Sequence, residues 1–138
     1  MQTPIRHAIF SLAFAAGAVH GADLTIHVDN VARTDGQVMV ALFDDAGRFL
    51  KQPARVAAAP AAIAGTTVVF KDVAPGQYGF AVFHDLNGNG RMDANPMGIP
   101  IEPIAFSNNA QGHMGPPAFE AVRFAVPAAG LDTTVTLR

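Results

Sequence analysis

The chain has no cysteine, no tryptophan and few charges among its 138 residues. Without cysteine it has no disulfides, no thiolate metal ligands and no cysteine nucleophile. Charged residues make up 14% of the sequence, and the nine lysines and arginines are scattered along it. A nucleic-acid-binding surface needs clustered basic residues, so none is expected here.

The N-terminal 22 residues have the features of a secretory signal peptide. Arg6 precedes an apolar run at residues 8–19, and small residues lie at its end and just beyond it, at Ala18, Gly21 and Ala22. A bilayer-spanning helix needs roughly 20 apolar residues, and this run is shorter. The sequence therefore predicts a signal peptide at residues 1–22 and one domain at residues 23–138. A periplasmic or secreted protein with no transmembrane segment in the mature chain is expected.

Beyond residue 22, apolar and polar residues alternate with a period of two, which is typical of half-buried strands. Turn-forming residues separate these segments, and no amphipathic helix pattern is evident. The strands are predicted at residues 24–31, 37–44, 66–73, 78–85, 119–126 and 131–138. The pattern favours an all-β fold, a single antiparallel β-sandwich of about seven strands, immunoglobulin-like or prealbumin-like.

Residues 86–118 form a long segment without strand periodicity. Loops of this length are unusual in a compact domain, and they are usually functional or disordered. Five prolines and several large apolar residues lie in the segment, so we expect it to be ordered. It is expected to pack over one end of the sandwich.

The loop begins with the sequence HDLNGNGRMDAN, residues 84–95, in which oxygen-bearing side chains recur at alternate positions. This spacing matches the opening of the calcium-loop pattern D-x-[DN]-x-[DN]-G. The predicted calcium ligands are Asp85, Asn87, Asn89, Asp93 and the Arg91 carbonyl. The pattern's bidentate glutamate is replaced by Pro96, and Glu102 is the candidate to complete the shell. An affinity on the order of 10⁻⁴ to 10⁻³ M is expected. The other interpretation is an Asx-rich turn that binds no ion.

A second hypothesis uses imidazole nitrogens. His84, Glu102 and His113 could hold a transition metal, in a metal-binding protein or a hydrolase. A serine nucleophile is not supported, because Ser107 lies in the sequence FSNN and not in a G-x-S-x-G turn. No catalytic residue is assigned on these grounds.

The second half of the loop suggests a binding surface. Its aromatic, amide and imidazole side chains could contact a partner, and the prolines around them would restrict the backbone. The predicted surface residues are His84, Phe106, Asn108, His113 and Phe119. An envelope polysaccharide, peptide or protein is the expected partner. The alternative is a structural cap without a ligand.

Three sequence blocks resemble a known bacterial family. They are FxDVxPGxYxFAVFHDxNxNGxxD at residues 70–93, GIPxEPxxFSNN at residues 98–109 and GPPxFE at residues 115–120. Together they resemble the family called domain of unknown function 2141, over residues 24–137. The resemblance implies an exported protein with one β-sandwich domain, and it carries no assigned activity.

The turn at residues 75–78 is also similar to the Pro-Gly-x-Tyr turn of transthyretin-type sandwiches. The enzyme of that superfamily, 5-hydroxyisourate hydrolase, ends in Tyr-Arg-Gly-Ser. This chain has Val-Thr-Leu-Arg at residues 135–138, which disfavours that activity. The function expected from the sequence is therefore an exported, non-enzymatic binding or structural module of the envelope with a calcium loop.

Overall fold

Alternating apolar residues form eight strands in the computed structural model, which describes residues 20–138. The strands are β1 (Ala22–Asp29), β2 (Gln37–Phe43), β3 (Arg55–Pro60), β4 (Thr66–Val73), β5 (Gly76–Asp85), β6 (Ile104–Phe106), β7 (Phe124–Val126) and β8 (Leu131–Thr136). Within the described range the helical segments are a 3-10 turn at Ser107–Asn109 and a one-turn helix, α1, at Phe119–Val122. Residues 1–19, which form most of the predicted signal peptide, lie outside the described residues.

The strands form two sheets, which confirms the all-β prediction. The smaller sheet has the order β4-β1-β8. The larger has the order β3-β2-β5-β6, and β7 also pairs with β5. Every pair is antiparallel except β1 and β8, which are parallel. These are the first and last strands, so no tight turn joins them and fixes an antiparallel direction.

The core follows from the period-two pattern, because alternate residues of a strand point to opposite faces of its sheet. Leu24, Ile26 and Val28 of β1 are fully buried, as are Val38 and Val40 of β2. A single cluster of buried side chains includes residues from both sheets. The sheets are therefore stabilised by a shared hydrophobic core.

Three elements differ from the sequence prediction. The alanine-rich residues 55–60 form the edge strand β3, because β2 supplies hydrogen-bonding partners along its length. The short strand β6 lies inside the segment predicted as a loop. The strand predicted at residues 119–126 is wrong in its first half, which forms α1. Gly79 leaves room for this helix, because a Cβ there would lie 2.7 Å from Val122 Cγ2.

Candidate functional site

The candidate site is the loop at residues 85–102, which connects β5 to the segment before β6. Asp85 is the last residue of β5 and pairs with Gln37, the first residue of β2. The loop therefore starts at one end of the larger sheet, from two hydrogen-bonded strands. Asp85, the first candidate ligand, is therefore held in place by two paired strands.

The Asp85 side chain holds the first turn of the loop. It is fully buried. Its Oδ1 accepts a hydrogen bond from Asn89 N at 3.1 Å, and its Oδ2 accepts from Gly90 N at 2.9 Å and Gln37 Nε2 at 3.0 Å. These bonds curl the chain around the carboxylate. Gly88 and Gly90 have φ values of 67° and 75°, which glycine adopts without steric cost.

The environment of Asp85 also favours its charged form. Burial raises the pKa of the carboxyl group, but the hydrogen bonds from Gln37 and from the backbone of Gly90, Asn89 and Gly88 outweigh burial. The net effect lowers the pKa below its ordinary value of 3.8. Asp85 is therefore an anion at neutral pH.

Asn87, Asn89 and Asp93 form a cluster beside this turn. Asn87 Nδ2 donates to the Asp93 carboxylate at 2.7 Å, and Asn89 Nδ2 donates to its two oxygens at 2.9 and 3.1 Å. Asn87 Oδ1 accepts from Asn89 N at 3.2 Å, and Asn89 Oδ1 accepts from Arg91 N at 2.9 Å. An amide oxygen has two lone pairs, so each retains one. The structure thus brings together the predicted side-chain ligands of the loop, and Arg91 lies between them with an exposed side chain.

Glu102 connects the two ends of the loop. Its side chain is buried, with 6% of the residue exposed. Oε1 accepts from Leu86 N at 3.0 Å, and Oε2 accepts from Asp93 N at 2.9 Å. Both oxygens therefore bind backbone N–H groups, a role the sequence did not suggest. Prolines at positions 100 and 103 restrict the local backbone, but they do not indicate which distant N–H groups the carboxylate meets.

Beyond Asp93 the loop forms a small hairpin. Ala94 and Pro100 form a β-bridge, and Ile101 N donates to Asp93 O at 3.0 Å. At the tip, Asn95 Oδ1 accepts hydrogen bonds from the backbone N–H groups of residues 97 and 99 at 2.9 and 3.0 Å. The hairpin exposes large apolar side chains: Met97 is 84% exposed, Ile99 55% and Ile101 66%. The segment was expected to pack over one end of the sandwich, but these three side chains do not pack against it.

The imidazole hypothesis is not supported by the geometry. His84 is buried, and its Nε2 donates to the Asp35 carbonyl oxygen at 2.7 Å. His113 is exposed on the segment that leads to α1. Among residues 20–138, no three histidine, aspartate or glutamate side chains gather closely enough to hold a metal ion. His84, Glu102 and His113 therefore form no such group, and a cation at the loop would also need amide and carbonyl oxygens.

Of the five residues predicted to form a binding surface, four make contacts within the protein, and His113 is exposed. Phe106 and Phe119 are half-buried, and their rings lie 6.4 and 5.6 Å from the Phe49 ring in edge-to-face arrangements. Asn108 Nδ2 donates to two backbone carbonyls at 3.1 and 3.0 Å, those of Ala121 and Arg123. These contacts agree with the other interpretation of the segment, a structural cap without a ligand.

Comparison with known proteins adds one assignment. The family model described as "Uncharacterized protein conserved in bacteria (DUF2141)" matches residues 26–135. The chain belongs to this family. The match confirms the resemblance inferred from the three sequence blocks. Neither the curated proteins nor the solved structures contain a match.

In this DUF2141 protein the candidate loop and the 3-10 turn both lie inside the matched residues. Across residues 20–138, none of the helices has the length and apolar character needed to cross a membrane. The loop offers carboxylate and amide oxygens at one end of the larger sheet. Such oxygens are the ligands that hard cations prefer.

Proposed function

We propose that this DUF2141 protein is an exported, non-enzymatic β-sandwich module of the cell envelope, with a calcium-binding loop at residues 85–93. The core shared by the two sheets supports a sandwich of the immunoglobulin-like or prealbumin-like kind. The signal-like N-terminus supports export. The calcium loop would hold one end of the sandwich in a fixed conformation for a partner.

The observation that carries the calcium proposal is the conformation around Asp85. Its buried carboxylate accepts hydrogen bonds from the N–H groups of Asn89 and Gly90, and these bonds hold the chain in a curl. Asn87, Asn89 and Asp93 converge beside it. A loop that its own hydrogen bonds hold in a curl loses less conformational entropy when it binds an ion. Calcium takes six to eight oxygens in flexible geometry, which suits a set of mixed carboxylate, amide and carbonyl groups.

The amides at the cluster can exchange partners at low cost. Asn87 and Asn89 are exposed, and each donates an Nδ2 hydrogen to Asp93. A half-turn about the last side-chain bond would turn the amide oxygen toward Asp93 and would end the hydrogen bond that it accepts from Asn89 N or Arg91 N, whose residues are exposed to water. The resulting set would have two carboxylate ligands, Asp93 and Asp85. Because Glu102 already binds two N–H groups, a dissociation constant on the order of 10⁻⁴ to 10⁻³ M is expected.

Thermal unfolding in calcium and in EDTA tests the proposal. At a calcium concentration of a hundred dissociation constants, one-site binding stabilises the fold by about 2.7 kcal/mol. We expect the melting temperature to rise by several degrees. Asp93→Asn should remove that rise and change the melting temperature in EDTA little, because Asp93 accepts side-chain hydrogen bonds only from exposed amides.

Asp132→Asn is the matched control, since Asp132 is an exposed carboxylate on β8, outside the loop. It should retain the full calcium response. The proposal fails if the unmodified protein shows no calcium-dependent rise, or if Asp93→Asn and Asp132→Asn respond to calcium alike.

A further inference from the structure

The dipeptide Asn-Gly occurs twice in the chain, at residues 87–88 and 89–90, and both copies lie in the candidate loop. Asparagine is a chemically labile residue, because the next backbone nitrogen can attack its side-chain amide carbon. Glycine favours this attack, since it has no Cβ to hinder the approach and its backbone is free to rotate. Both reacting groups belong to one chain and are held close together. Each pair is therefore a candidate for spontaneous modification.

The two asparagine side chains are held in the same way. Nδ2 of each donates to the Asp93 carboxylate, Asn87 at 2.7 Å and Asn89 at 2.9 Å. Oδ1 of Asn87 accepts from Asn89 N at 3.2 Å, and Oδ1 of Asn89 accepts from Arg91 N at 2.9 Å. An N–H group in this position stabilises the negative charge that the amide oxygen gains during the attack. Both residues are exposed, so their amide carbons should be similarly reactive.

The two attacking nitrogens differ in what they contact. Gly90 N donates to Oδ2 of the buried Asp85 carboxylate at 2.9 Å. Gly88 N lies 3.4 Å from the Asp85 carbonyl oxygen, beyond the usual length of a hydrogen bond. Before the attack, the nitrogen must lose its proton and its peptide group must rotate. At Gly90 this would place a negative charge beside a carboxylate and break a charge-assisted hydrogen bond, whereas at Gly88 it breaks only the long contact.

We propose that Asn87–Gly88 is a site of spontaneous deamidation and that the Asp85 carboxylate protects Asn89–Gly90. Gly88 N forms a bond to Cγ of Asn87, and the Cγ–Nδ2 bond breaks. Gly88 N gives its proton to water, Nδ2 takes one from water, and ammonia leaves. Water then opens the succinimide ring. Its attack at Cγ gives aspartate, its attack at the main-chain carbonyl carbon gives isoaspartate, and neither step involves oxidation or reduction.

Either product makes the loop one charge more negative. The new carboxylate takes the place of the amide that donates to Asp93, so a hydrogen bond becomes a contact between like charges. Isoaspartate also lengthens the main chain by one carbon, which disrupts the turn at Asn89 N. The loop therefore changes its charge with time and without an enzyme. This chemistry does not rest on the calcium site, so EDTA is present throughout its test.

Peptide mapping of aged protein tests the proposal. The folded protein and a sample unfolded in guanidinium chloride are incubated at mildly alkaline pH and then digested with trypsin. Cleavage after Lys71 and Arg91 releases residues 72–91, and fragment ions assign the mass change, ammonia lost and water gained, to residue 87 or 89. In the folded protein, residue 87 should react roughly tenfold faster, the factor that corresponds to one hydrogen bond to a charged group. In the unfolded protein the two rates should be similar.

Asp85→Asn tests the source of the protection, because it replaces the carboxylate beside Gly90 N by a neutral amide. The rate at residue 89 should rise toward the rate at residue 87. Asp132→Asn is the matched control, since Asp132 is an exposed carboxylate on β8. It should leave both rates unchanged. A melting curve shows whether Asp85→Asn is folded under these conditions, and if it is not, the folded and unfolded samples of the unmodified protein decide the question.

Equal rates at residues 87 and 89 of the folded protein would overturn the inference, because they would mean that the reaction occurs in unfolded molecules, where both pairs are exposed alike. A faster reaction at residue 89 would overturn it as well. A folded Asp85→Asn protein in which residue 89 stays slow would show that the carboxylate does not protect that pair, which also contradicts the proposal.

Discussion

Two asparagine-rich segments lie in the connection between β5 and β7: the loop at residues 85–102 and the 3-10 turn Ser107–Asn109. In the 3-10 turn, every side chain reaches the backbone of another element. Ser107 Oγ accepts from Phe80 N at 3.0 Å and donates to Val122 O, and Asn109 Oδ1 accepts from Thr136 N at 2.9 Å. Asn108 donates to two carbonyls near α1. This turn therefore joins β5, α1 and β8.

In the loop, asparagine side chains bind Asp93 and the backbone of their own turn. Asn87 and Asn89 contact no other strand through the hydrogen bonds given above, and both are exposed. Their polar groups can be exchanged for an ion at low cost, whereas those of the 3-10 turn cannot be released without separating strands. The two segments contain the same residue type. The group that each asparagine side chain contacts therefore decides whether it is structural or available for binding.

Ser107→Ala should give the largest effect of the substitutions that test this comparison. The substitution leaves the Phe80 N–H and the Val122 carbonyl without their side-chain partner, at a site where Ser107 is 1% exposed. Leaving buried polar groups unpaired costs about 1–3 kcal/mol for each group, so we expect a loss of about 3 kcal/mol. Urea unfolding measures it. The loss should be equal in calcium and EDTA, and a loss that appears only in calcium would contradict the structural role.

The next largest effect is expected from replacing an asparagine by aspartate in each of the two segments. Asn108→Asp replaces the NH2 group that donates to two carbonyls by a carboxylate oxygen that faces them, which should cost about 1–2 kcal/mol in both media. Asn87→Asp instead adds a carboxylate beside Asp93, which should weaken the fold slightly in EDTA but increase the calcium-dependent rise in melting temperature. Equal behaviour of the two variants in calcium would contradict the comparison.

Much of the fold could be predicted from the sequence, and much of the difference between the two segments could not. Period-two alternation located β1, β2, β4, β5 and β8, because burial of one sheet face imposes it. The edge strand β3 and the short β6 are defined by hydrogen bonds to neighbouring strands, which local sequence does not specify. The helix α1 depends on the space above Gly79, a feature of tertiary packing.

The candidate loop was predicted because ligand spacing within one turn is a local property. The loop side chains that the structure gathers lie within nine residues of each other, from Asp85 to Asp93. The partners of Asn108 and Glu102 depend on which distant backbone groups approach them. The sequence therefore suggested a binding role for Asn108 and a ligand role for Glu102, where the structure shows hydrogen bonds to backbone groups.

The smallest expected effect concerns the acid response of Asp85, the residue through which the loop is joined to the sheet. Its pKa in the folded protein lies below the ordinary value of 3.8, because the hydrogen bonds from Gln37, Gly90, Asn89 and Gly88 outweigh burial. The unfolded chain therefore takes up the proton first as the pH falls. The stabilisation by this carboxylate is complete above the unfolded pKa and is lost as the pH falls through the folded one.

Unfolding free energies of the unmodified protein and of Asp85→Asn, both in EDTA, measure this contribution. The unmodified protein should be the more stable at neutral pH, by a margin that stays constant down to about pH 5 and shrinks below about pH 4. Because the other carboxylates are common to both proteins, their titration largely cancels in the difference. A margin that grows on acidification would mean that the folded pKa lies above the unfolded one. The hydrogen bonds at Asp85 would then not favour its charged form, and the loop would lack a pre-formed anionic ligand.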